Sequence, residues 1–110
     1  MKMSKETEQQ IAELQLIEQN LQNFLAQRQN FQMQLAEIES ALKELDKTKE
    51  VPFKIVGQIM IAAKKEDLVE DLAAKKEMVE LRMKSIEKQE NQLKQKAENM
   101  QKEIMKEMKK

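Results

Sequence analysis

Histidine and cysteine are both absent from the 110 residues. Without cysteine there is no disulfide framework and no thiolate nucleophile, and without histidine the commonest metal ligand and proton shuttle is missing. Aromatic residues make up 3% of the chain, all of them phenylalanine, so there is no platform on which nucleic-acid bases could stack. Charge of one sign is lacking too: 20 Lys and Arg balance 20 Asp and Glu, which removes the basic field that non-specific nucleic-acid binding uses. No apolar run approaches the roughly 18 residues of a membrane span, and the opening MKMSKETEQQ has no apolar signal core. A cytoplasmic protein without membrane or nucleic-acid partners is expected. Glycine and proline occur once each, so no Gly-rich phosphate loop exists.

These absences argue against an enzyme, a resident cofactor or a metal site. The acidic group Glu66, Asp67, Glu70 and Asp71 reads as the favourable first turns of a helix rather than as a metal cluster. At 36% charged residues and a mean hydropathy of −0.77, the chain also lacks the apolar material for an ordinary globular core. Disorder is the simplest alternative, but the apolar residues recur with a period and good helix formers dominate outside the middle.

That period is a heptad. In the first half Leu14, Leu21, Arg28, Leu35 and Leu42 fall at one core position and Ile17, Phe24, Phe31, Ile38 and Leu45 at the other, with only Arg28 polar. Leu72, Val79, Ile86, Leu93 and Met100 repeat the pattern in the second half, alongside Val69, Lys76, Met83, Glu90, Ala97 and Ile104. Alternating steps of three and four keep one stripe facing a partner helix. If the chain folds back on itself, Leu14 faces Met100, Ile17 faces Ala97, Leu21 faces Leu93 and Leu45 faces Val69, each pair equidistant from residue 57. Residue 57 is the only glycine.

The periodicity therefore predicts a mainly α protein: a long antiparallel two-helix coiled coil, about ten layers deep, with arms of roughly 60 Å at about 1.5 Å per residue. Arg28 and Glu90 fall in adjacent layers on opposite arms, where they either specify register as a cross-arm pair or sit in a loosely packed, partly wet seam. Lys76 is expected to run its methylenes past Ile38 and reach water.

Between the arms lies VPFKIVGQIMIAA, from Val51 to Ala63. Pro52 stops a helix, β-branched residues follow, and Gly57 permits a tight turn, so a β-hairpin turning at V-G-Q-I is expected. A continuous helix kinked at Pro52 is the alternative. Alternation sets Val56, Ile59 and Ile61 on one face and Phe53, Ile55, Met60 and Ala62 on the other. Two apolar faces and two free edges make this an assembly element, since an isolated hairpin is marginal in water. Boundaries are expected near 5–48 for the first helix, 51–63 for the hairpin and 65–108 for the second helix, in a single domain spanning 1–110.

The segment FKIVGQIMI, Phe53 to Ile61, resembles the aromatic-Lys-x-Val-Gly stretch and apolar strand of the archaeal prefoldin beta subunits. EDLVEDLAAKKEMVELRMKSIEKQENQLKQK is similar to that family's second arm and LQNFLAQRQNFQMQLAEIESAL to its first. One hairpin rather than two favours the beta over the alpha type. The resemblance implies a hexamer of two alpha-type and four beta-type subunits whose hairpins, here Phe53, Ile55, Val56, Gly57, Ile59, Met60 and Ile61, build the body. It further implies an ATP-independent holdase that captures unfolded proteins at its coiled-coil tips and delivers them to a group II chaperonin. The competing reading is a structural coiled-coil adaptor for one defined partner.

At the far end of the arms the regular layers are expected to stop, with Gln10 opposite Ile104 and Thr7 opposite Glu107. Five of the nine methionines, Met1, Met3, Met100, Met105 and Met108, belong to this end. Methionine repacks against varied shapes. Ile11, Leu14, Leu16, Met100, Ile104, Met105 and Met108 are the candidate client-binding tip, against which stands simple fraying of the termini. Lys106, Lys109 and Lys110 oppose the helix dipole, and the resemblance adds docking to an acidic chaperonin surface.

Overall fold

The computed structural model describes residues 4–109, so Met1, Met3 and Lys110 lie outside the described residues. Four elements follow in order: α1 (Lys5–Lys47), β1 (Phe53–Val56), β2 (Ile59–Ala62) and α2 (Lys65–Lys109).

Helix α1 runs 43 residues with no glycine or proline to interrupt it. Ser4 caps it: its Oγ accepts a hydrogen bond from the Thr7 amide at 3.1 Å, satisfying one of the amides that a helix start leaves without a partner. Glu6 and Glu8 in the first turn suit the positive end of the dipole. The helix stops before Pro52. The Thr48 amide still donates to the Glu44 carbonyl, and then the Glu50 amide turns back to Thr48 Oγ1 at 3.3 Å. Helix α2 opens with Glu66 and Asp67 and closes with Lys106 and Lys109, complementing the dipole at both ends.

The two strands pair antiparallel, Phe53 with Ala62, Lys54 with Ile61, Ile55 with Met60 and Val56 with Ile59. A bond from the Ala63 amide to the Pro52 carbonyl, 3.0 Å, lengthens the ladder by one step. Only two residues, Gly57 and Gln58, make the turn. Gly57 has φ +62° and is the only described residue with positive φ, so the turn has the φ signs of type II′, which places glycine first and matches the twist of the strands. The sequence reading of a V-G-Q-I turn holds, and the kinked continuous helix does not.

Two packed units divide the chain. In the one made of Met1–Gln29 and Lys84–Lys110, Ile17, Ala97 and Met100 form a buried cluster with Leu14, Leu21 and Leu93 against it. These are layers that the heptad frame sets face to face, so the helices run antiparallel there with the expected register. Burial also reaches further than the apolar pattern does. Thr7 is 3% exposed, and its hydroxyl lies 2.9 Å from Ser4 Oγ, so a polar residue past the last expected apolar layer is buried with its polar atom satisfied.

In the other unit, Asn30–Met83, Ile38, Leu45 and Val79 are buried while Phe31, Leu35, Leu42, Leu72 and Met83 are half-buried. Here one heptad assignment is corrected. Leu68 is half-buried and Val69 is exposed, the reverse of the expected facing of Leu45 with Val69. Stepping back four residues from Leu72 turns about 40° from its direction, whereas stepping back three turns about 60° the other way, so the longer side chain at 68 takes the seam.

Candidate functional site

All eight strand residues of the hairpin are exposed to solvent. Pairing places Phe53, Ile55, Met60 and Ala62 on one face and Val56, Ile59 and Ile61 with Lys54 on the other. Ile55 is 69% exposed, Met60 65% and Ile59 63%, so neither face is covered by the chain's own helices. The seven sequence-predicted hairpin residues are thus brought together in one small exposed element. With only two strands, both edges carry unpaired backbone groups as well. Such a surface, apolar on both sides and open along both edges, is what a strand-pairing interface requires.

The hairpin is held lightly. Lys54 Nζ lies 3.9 Å from Asp71 Oδ2, with both side chains more than half exposed, and Lys65 Nζ donates to the Thr48 carbonyl at 3.4 Å. Beside it is a groove of about 670 Å³, lined on its apolar side by Leu45, Pro52, Phe53, Ile55, Leu68 and Leu72.

The candidate tip residues divide by burial. Leu16, Met105 and Met108 each expose more than half of their surface. Ile11 and Leu14 are half-buried, while Met100 and Ile104 are buried in the seam. Ile104 packs inside because the seam continues past its expected end to Thr7, where Gln10 Nε2 donates to Glu103 Oε2 at 3.3 Å. Lys106 and Lys109 are exposed, and Lys110 lies outside the described residues.

All three charged residues in the heptad slots find partners. Arg28 Nη1 is 3.3 Å from Glu90 Oε2, the cross-arm pair that adjacent layers suggested. Lys76 Nζ reaches Glu39 Oε1 at 3.6 Å, and its side chain is about one third exposed. Sequence reasoning missed four exposed apolar residues, Leu25, Met33, Met78 and Leu81. The available signal was their position outside every heptad slot. Among the described residues no cluster of acidic side chains is placed to hold a metal, and no helix is long and apolar enough to cross a membrane.

This arrangement of two long helices around one bare hairpin has relatives. The family of prefoldin subunits matches residues 8–110. The prefoldin subunit beta of Archaeoglobus fulgidus is 41% identical over 95 residues, covering 84% of this chain and 82% of its own. That of Methanospirillum hungatei is 30% identical over 108 residues, covering 96% and 90%. The crystal structure of the prefoldin beta subunit from Thermococcus strain KS-1 superposes with a TM-score of 0.88 at 27% identity, covering 96% of this chain and 94% of that one. By sequence match along nearly its whole length and by the hairpin set between two long helices, the chain belongs to the prefoldin family, where its likeness is to the archaeal beta subunits.

Proposed function

We propose that the chain is the beta-type subunit of a hexamer of two alpha-type and four beta-type subunits, which captures unfolded proteins without ATP and delivers them to a group II chaperonin. Membership in the family supports a chaperone role rather than an enzymatic one, and assembly with other prefoldin subunits. The observation that carries the finer reading is the hairpin, whose eight strand residues all face solvent with apolar side chains on both faces. A helical adaptor has no need of such an element, because its binding surface would lie on the arms.

Client capture is assigned to Leu16, Met105 and Met108, the exposed apolar residues toward the helix ends, with Ile11 and Leu14 as half-buried neighbours. Flexible thioethers suit partners that have no fixed shape. Docking to a chaperonin is assigned to Lys106 and Lys109, with Lys110 beyond the described residues.

Native mass spectrometry of the chain, alone and mixed with an archaeal alpha-type prefoldin subunit, tests the reading. The expected result is an incomplete assembly alone and a hexamer of two alpha and four beta chains in the mixture. The mixture should also suppress aggregation of a heat-unfolded protein without nucleotide. A homodimer of unchanged mass in both samples would leave the adaptor reading in its place.

A further inference from the structure

Among the described residues Glu90 is the one charged residue buried in the seam, at 3% exposure, and only half of its carboxylate is engaged. Oε2 meets Arg28 Nη1 at 3.3 Å, while Oε1 is buried and has no hydrogen-bond partner among the described residues. The layer is also flanked by recesses open to solvent. A polar recess of about 190 Å³ bordered by Glu87, Asn91 and Lys94 opens on one side of the pair, and one of about 220 Å³ against Leu21 and Leu25 opens on the other. An orphaned oxygen and a desolvated carboxylate both lower stability relative to apolar side chains of similar volume. What such a layer can supply is specificity.

We propose that Arg28 and Glu90 form a register key that fixes which layers of the two arms meet. The neighbouring layers cannot do this, because Leu14, Ile17 and Leu21 on α1 would pack against Leu93, Ala97 or Met100 on α2 almost interchangeably. Sliding one arm by a heptad keeps every apolar stripe facing its partner. It also separates Arg28 from Glu90 by about 10 Å along the axis, far beyond an ion pair. In one direction the slip puts Glu90 opposite Ile17, and in the other it puts Arg28 opposite Leu93, so a buried charge loses its partner either way. The key thereby sets which apolar side chains of α1 share a level with Met105 and Met108. This inference concerns the pairing of the arms and stands whether or not the chain captures clients.

The chain has no cysteine, so crosslinks report register directly. In the full-length chain, Ile17→Cys with Ala97→Cys marks the observed register, and Gln10→Cys with Ala97→Cys marks a one-heptad slip. With Arg28 and Glu90 present, oxidation should close 17–97 and leave 10–97 at background. Adding Arg28→Leu with Glu90→Leu should raise the 10–97 crosslink roughly tenfold without lowering the melting temperature. The exchanged pair Arg28→Glu with Glu90→Arg should return it to background, and that arm remains readable if the leucine variant aggregates. A 10–97 yield that stays at background in the folded leucine variant, or that rises in the exchanged pair, would overturn the proposal.

Discussion

At the residue scale, Gly57 shows how space and conformation separate. Its φ of +62° is costly for any side chain, yet a Cβ built there meets nothing within 4 Å. Substitution is therefore penalised by backbone strain alone. Gly57→Ala should destabilise the turn by about 1–2 kcal/mol and Gly57→Asn by less, because asparagine tolerates the left-handed region. Thermal unfolding of the assembled complex checks the order glycine, asparagine, alanine. At the other end of α1, Ser4→Ala removes the acceptor for the Thr7 amide and should cost about 1 kcal/mol, seen as faster amide exchange in the first turn. By contrast, Asp71→Ala should change stability by less than about 0.5 kcal/mol, since its 3.9 Å pair with Lys54 is exposed at both ends. A shift well above that in a chemical melt would mean that the pair anchors the hairpin.

At the element scale, the helices were legible because a 3.5-residue stripe of Leu, Ile and Phe marks the face that each arm buries. The hairpin was legible for the opposite reason, since a lone proline, a lone glycine and a run of β-branched residues break that stripe. What stayed hidden were effects of a fraction of a turn. The heptad frame places Val69 on the seam and Leu68 off it, yet the helix surface buries Leu68 instead. Thr7 is buried because Ser4 satisfies its hydroxyl, a pairing no apolar pattern reveals. Arg28 with Glu90 could be read in advance because adjacent layers bring them together, whereas the mooring of Lys54 on Asp71 depends on the angle of the hairpin against α2. Since the hairpin contributes no buried residue, Ile55→Asp with Met60→Asp, two like charges set directly opposite, should abolish hexamer formation with an alpha-type subunit. Circular dichroism should meanwhile show unchanged helix content. Loss of helix as well would mean that the hairpin supports the arms.

At the scale of the whole molecule, there are two kinds of apolar exposure. The hairpin presents a fixed, paired surface suited to repeated copies of itself, while Leu16, Met105 and Met108 present single side chains on helices. Changing these three together to Gln should leave the hexamer mass unaltered and weaken suppression of client aggregation several-fold, because each exchange removes apolar area without touching the seam. Equal protection by the variant would move capture elsewhere, and Met33, Met78 and Leu81 would be the next surface to change.

The open space around the turn has a practical consequence. A Cβ at Gly57 meets no other atom of the chain within 4 Å, so the turn leaves room beside it for another molecule. With no native thiol to compete, a fluorophore on Gln58→Cys, at the exposed turn, would report by its brightness whether another chain packs there.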